Sequence, residues 1–116
     1  MTKRTPLRDS QRTDLALGIM SGTSVDGVDC ALCAVTDTQV KLRRHWQVSF
    51  PKRLRERIVS AANGRSGSWE VAQLHHDLGR FYASAVRSGL GQDRPMVIGL
   101  HGQTIFHSPT KRNPAT

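Results

Sequence analysis

A chain of 116 residues has room for one domain that buries about two-thirds of the surface its unfolded form exposes. Apolar residues make up 37% and there are ten glycines, which together approach the usual globular level. The formal net charge of +8 attracts polyanions, yet aromatics reach only 5% and no RNA-stacking motif or zinc-finger spacing is present, so no familiar nucleic-acid module is spelled out.

Residues 1–13 are polar and basic, with Lys3, Arg4, Arg8 and Arg12; they read as a disordered lead-in, neither a signal peptide nor a membrane span. Residues 15–20, Leu-Ala-Leu-Gly-Ile-Met, are apolar throughout, which predicts a strand buried on both faces. A polar, glycine-bearing loop follows. Residues 28–35 are then apolar apart from Asp29, so the two runs bracket a hairpin. After a turn at Asp37-Thr38-Gln39, the residues Val40, Leu42, Trp46, Val48 and Phe50 fall on alternate positions of a third strand with basic residues on its other face. Pro51 ends it.

Leu54, Ile58, Val59 and Ala62 form the stripe of an amphipathic helix over 52–62. The run Asn63-Gly64-Arg65-Ser66-Gly67 breaks it, and Ser68 is the expected N-cap of a second helix. Val71, Leu74, Leu78, Phe81, Ala85 and Val86 recur there at spacings of three and four, and Gly89 and Gly91 close it. Residues 96–100 predict a second buried strand. Both apolar runs lead directly into polar loops, and in open sheets ligands collect at that edge. The two loops are therefore expected to face one cleft.

The first loop lies in Gly18-Ile19-Met20-Ser21-Gly22-Thr23-Ser24-Val25-Asp26-Gly27-Val28-Asp29. Gly22 and Gly27 can adopt backbone angles that a Cβ resists, letting successive N–H groups point at one anion. Ser21, Thr23 and Ser24 add hydroxyl donors, and Asp26 and Asp29 supply oxygens for a hydrated cation or a sugar hydroxyl. On composition alone a polar hairpin turn fits equally well. A Walker-type loop is excluded, because no lysine followed by Ser or Thr closes the run, and the three-glycine dinucleotide fingerprint is missing too. The second loop, His101-Gly102-Gln103-Thr104, sets an imidazole, an amide and a hydroxyl around a glycine. Those groups suit sugar or phosphate oxygens, or alternatively satisfy backbone groups at the turn.

Cys30 and Cys33 form a lone CxxC. An offset of three on a strand sends the side chains to opposite faces, so small buried thiols are expected, not a redox or zinc site. The adjacent His75 and His76 cannot chelate a metal in the i, i+4 manner. His45 has no evident partner, and Trp46 and Trp69 read as packing anchors.

Taken with the stretch from His101 to Pro109, the first motif resembles the anhydro-N-acetylmuramic acid kinase family. Val25 stands where that family usually has leucine. The resemblance implies a bacterial cell-wall recycling enzyme of the cytoplasm with an actin-like, sugar-kinase (ribonuclease H-like) α/β fold. Residues 14–116 then form an incomplete N-terminal lobe: a three-stranded start, helices and a further strand. It further implies that ATP and Mg²⁺ are used to open the 1,6-anhydro ring and phosphorylate O6, giving N-acetylmuramic acid 6-phosphate. By the same resemblance Gly22, Thr23, Ser24, Val25, Asp26, Gly27, Val28 and Asp29 cradle the ATP phosphates. Asp26 and Asp29 either orient the water shell of Mg²⁺ or cap the loop, and no residue ligates metal directly.

His101, Gln103 and Thr104 fall on the substrate side, and a homodimer is implied at full length. The family's general base is an aspartate beyond Thr116, so no catalytic residue is assigned within this chain. Family members are much longer, so the 116 residues are expected to be an N-terminal fragment without kinase activity. A basic anion- or nucleic-acid-binding module and a degraded kinase remnant stand as the alternatives.

Overall fold

In the computed structural model, which describes residues 12–107, three antiparallel strands lead into two helices and a fourth strand: β1 (Asp14–Met20), β2 (Gly27–Val35), β3 (Val40–Ser49), α1 (Lys52–Ala62), α2 (Ser68–Leu90) and β4 (Val97–Leu100). The sheet order is β3-β2-β1-β4, with β4 parallel to β1 and the other pairs antiparallel. The expected α/β order is therefore present. Most of the lead-in, residues 1–11, and the end of the second motif lie outside the described residues. No helix among the described residues is long and apolar enough to cross a membrane.

Alternation decides which face is covered. Leu17 pairs with Leu32 and Ile19 with Cys30, so these four share a face, and Val28 joins them two residues before Cys30. Against it pack Leu54 and Ile58 of α1 and Leu74, Leu78, Tyr82, Ala85 and Val86 of α2. Leu17, Leu32 and Ile58 are at most 2% exposed, each contributing roughly 1.5–3 kcal/mol by removal from water. Phe50 stacks at a tilt on Phe81, centroids 5.2 Å apart. The α2 stripe runs as expected but gains Tyr82, which the spacing pattern omitted. On α1, Val59 and Ala62 turn outward, so its stripe is narrower than expected.

Several expectations need correction. Neither apolar strand is buried on both faces: Gly18 and Met20 of β1 are exposed, and all four residues of β4 are. β4 is an edge strand, paired only with β1, and α2 lies over β2 and β3 instead. On β3 the alternation breaks where Leu32 faces Arg44 but Cys33 faces Leu42, leaving Arg43 as an extra, bulged residue. A bulge shifts the side-chain parity. Val40 and Leu42 therefore leave the face of Trp46 and are 69% and 64% exposed.

Ser68 makes no side-chain cap. The N-cap position is Gly67, and α2 continues through Gly89 to Leu90, with Gly91 at φ 61° after it. Trp46 is an anchor, donating from Nε1 to Ala85 O at 2.9 Å with the Arg44 guanidinium above its ring. Trp69, 73% exposed, anchors nothing. Arg44 also bonds Leu90 O and pairs with Asp93. These contacts lock the start of β3's covered face to the end of α2.

Candidate functional site

Because β1 and β4 run parallel, their carboxyl ends release both motif loops at one edge of the sheet. The His101 N–H still donates to Ile19 O at 2.9 Å, which carries the ladder into the second loop. Side chains then join the loops: Ser21 Oγ donates to Gly102 O at 3.0 Å, and Gln103 Nε2 donates to Gly22 O at 3.1 Å. The two motifs thus meet, across 81 positions of sequence.

Within the first loop the Val25 N–H closes a turn on Gly22 O at 3.2 Å. The left-handed residue is Val25, with φ 56°, and neither Gly22 nor Gly27 takes such an angle. At Gly27 the fold itself requires glycine for space, and at Gly22 it does not. A Cβ on Gly27 would stand 2.3 Å from Val48 O, whereas one on Gly22 would meet only Ser24 Oγ, at 4.0 Å. Gly22 therefore opens room for an incoming group. The Arg55 Nε of α1 donates to Val25 O at 3.0 Å and holds the strained turn from outside.

An open cleft of about 360 Å³ sits here, lined by Met20, Gly22, Ser24, Asp26, Gly27, Asp29, Gln47, Val48 and Ser49. Thr23, Ser24 and Asp26 are exposed, while Val28 is 1% exposed and belongs to the core. Only the backbone of Val28 is left to serve a ligand. Ser21 is 1% exposed with its proton committed to Gly102 O, so it is a structural hydroxyl and no ligand donor.

Asp29 is held by β3. Its Oδ1 accepts from Gln47 Nε2 at 2.6 Å and lies 3.2 Å from His45 Nε2. His45 thus does have a partner, and Gln47 joins the site unforeseen. The register supplies the signal that would have found both: Asp29 pairs directly with Gln47, and His45, two residues earlier, shares its face.

In the second loop His101 is exposed and its Nδ1 lies 3.0 Å from Gly102 O. That bond requires the proton on Nδ1, and in the neutral ring Nε2 is then the acceptor. Gln103 gives its amide hydrogens to Gly22 O and Thr104 O, both at 3.1 Å, and its buried Oε1 has no partner. What Gln103 retains for a ligand is therefore one acceptor. Thr104 is half-buried, and His107 is exposed.

The cleft holds two carboxylates, Asp26 and Asp29, and no basic lining residue. A bare polyanion would be repelled there; a phosphate chain carrying a divalent cation would not. Among the described residues no group of three or more His, Cys, Asp or Glu is placed to hold a metal. Cys30 and Cys33 are free, one buried and one half-buried, on opposite faces of β2. Burial, aided by the Asp29 charge, pushes the Cys30 thiol above its ordinary value. His75 and His76 are solvent-facing.

The family model for anhydro-N-acetylmuramic acid kinase matches residues 14–116. The chain is similar to proteins named anhydro-N-acetylmuramic acid kinase from Vibrio parahaemolyticus, 39% identical over 109 residues, and Vibrio cholerae, 38% identical over 109 residues; 89% of this chain and 30% of each relative is covered. A protein of the same name from Sulfurimonas denitrificans is 34% identical over 107 residues, covering 88% of this chain and 29% of the relative. The chain thus spans about 30% of the length of the curated relatives it matches.

Proposed function

Because the chain belongs to the anhydro-N-acetylmuramic acid kinase family, we propose that it contributes the phosphate-binding half of a kinase site. The intact protein would open the 1,6-anhydro ring of anhydro-N-acetylmuramic acid and transfer the ATP γ-phosphoryl group to O6. The observation that supports this reading is the joining of both motif loops at one sheet edge, through Ser21 to Gly102 O and Gln103 to Gly22 O. Phosphoryl transfer is mostly positioning and charge neutralisation; the first loop would supply the positioning, and a cation bound to the phosphates the neutralisation.

On this reading the open space at Gly22 admits the phosphates, with Thr23 and Ser24 donating hydroxyl hydrogen bonds and the backbone at Asp26 and Gly27 supplying further N–H groups, the Val25 N–H being held by Gly22 O. Asp26 and Asp29 accept from the waters around Mg²⁺, and Gln47 and His45 hold Asp29 in place for that task. Mg²⁺ would supply neutralisation of phosphate charge. His101, through Nε2, together with Gln103 Oε1 and Thr104, takes the sugar side. The base that activates the attacking water lies past Thr116. The 116-residue chain alone should therefore be inactive, since losing a general base costs about a hundred- to ten-thousandfold. We place the intact enzyme in the cytoplasm as a homodimer, acting on small molecules and not on nucleic acid; the two free cysteines suit a reducing compartment.

The test is Ser24→Ala in a polypeptide of the relatives' full length. A hydrogen bond to a charged phosphate is worth about 1.5–3 kcal/mol, so the KM for ATP should rise by about tenfold or more with the anhydro-sugar KM little changed. An unaltered ATP KM in both Ser24→Ala and Thr23→Ala would remove this loop from the nucleotide site.

A further inference from the structure

Tyr82, in the middle of α2, is 6% exposed, and its hydroxyl lies 3.0 Å from Ser21 Oγ. Ser21 Oγ in turn donates to Gly102 O at 3.0 Å. A serine hydroxyl carries a single proton. With that proton given to a carbonyl, Tyr82 must be the donor to Ser21, and the bonds acquire a direction: Tyr82 O–H to Ser21 O–H to Gly102 O. The same carbonyl takes the Nδ1 proton of His101. Gly102 itself sits at φ 79°, a conformation that side chains resist.

We infer that Tyr82 and Ser21 are positioning residues, a buried hydroxyl relay that fixes the His101 loop against the Gly22 loop from behind the sheet edge. Stability alone does not call for such a pair. Replacing both members of a buried hydrogen bond by apolar groups of the same shape is close to neutral, whereas a polar relay specifies one geometry. The relay starts on a long helix packed on β2 and β3 and ends on a backbone carbonyl of the second motif, so it refers the loop to the rigid part of the fold. Its catalytic consequence rests on the kinase reading above; the geometric one does not.

Two measurements separate these. In the 116-residue chain, hydrogen exchange is followed for the wild type, Tyr82→Phe, Ser21→Ala and the double variant. The Val25 and His101 amides, bonded to Gly22 O and Ile19 O, should exchange about tenfold faster in each variant while the amides between β2 and β3 keep their protection. In a polypeptide of the relatives' length, kcat with ATP and anhydro sugar should fall about ten- to a hundredfold with both KM values within about twofold. The double variant should lose no more than Ser21→Ala, because Tyr82 acts through Ser21.

Wild-type exchange at both amides in both single variants overturns the relay, and so does a double-variant kcat loss equal to the product of the single losses. A wild-type polypeptide that phosphorylates no anhydro sugar overturns the kinase reading and the catalytic consequence with it, while the exchange rates alone still uphold or overturn the relay.

Discussion

Gly27 and Val48 stand closer than any other residue could in place of the glycine: a Cβ on Gly27 would lie 2.3 Å from the Val48 carbonyl oxygen and 2.8 Å from the Ser49 Cα. Both obstacles are backbone, and Val48 pairs with Val28 in the register that begins at Gly27. The glycine is therefore fixed by the approach of β3, whatever the loop binds.

Gly27→Ala should accordingly destabilise the fold. Overpacking against atoms that cannot rotate away costs about 1–3 kcal/mol, and each kcal/mol lowers the melting temperature of a domain this size by about 4–8 °C. Thermal unfolding checks it. Gly22→Ala, which meets nothing closer than Ser24 Oγ at 4.0 Å, serves as the contrast and should melt within a few degrees of wild type.

That contrast also shows where the sequence was legible. The succession of elements along the chain, the hairpin and both helices follow from alternation, turn residues and apolar spacing, all local signals. The two loops stand out because glycines, hydroxyls and carboxylates are concentrated in the first, and an imidazole, an amide and a hydroxyl surround a glycine in the second. What escaped depends on distant parts of the chain. The bulge at Arg43 carries no glycine or proline to announce it, the Asp29–Gln47–His45 cluster needs the strand register, and Tyr82 is not among the apolar residues whose spacing marks α2, so nothing local points to its hydroxyl meeting Ser21. The exposure of β4 follows from where α2 lies, not from β4's own apolar composition.

Val25 at φ 56° is a β-branched residue in the left-handed region, where branching crowds the backbone most. It also packs against the core and offers its carbonyl to Arg55. Val25→Leu keeps the apolar contact without the branch and should stabilise the chain by up to about 1 kcal/mol. Val25→Gly removes the strain and the contact together, and should fall below Val25→Leu. Urea midpoints rank the three, and a leucine variant less stable than wild type would show that the turn is not strained by branching.

Gly89 faces Trp46 so closely that a Cβ would stand 2.3 Å from the indole Cδ2. Gly89→Ala should push the ring aside and break its bond to Ala85 O, at a cost of about 1–3 kcal/mol. Tryptophan emission reports it if the exposed Trp69 is first replaced by Phe, a surface change of small effect. In that background Gly89→Ala should shift the emission to the red. An unshifted spectrum with unchanged stability would mean that α2 slides to accommodate the methyl.

Alkaline stability tests the buried titratable groups. Burial raises the Cys30 thiol above its ordinary 9.0, with Asp29 adding to the effect, and burial raises the Tyr82 phenol above its ordinary 10.0. In the unfolded chain both ionise at their ordinary values, so above pH 9 the folded state holds more protons than the unfolded one. Stability is then complete below pH 9 and declines as pH rises, by at most about 1.4 kcal/mol per pH unit for each proton. Urea midpoints from pH 8 to 11 should start to fall near pH 9 in the wild type. In Cys30→Ala, whose smaller side chain lowers stability at every pH, the downward slope should wait until near pH 10, where Tyr82 takes over. Tyr82→Phe should keep the first decline and soften the second. Parallel profiles for all three proteins would mean that neither group keeps its proton longer in the folded chain than in the unfolded one.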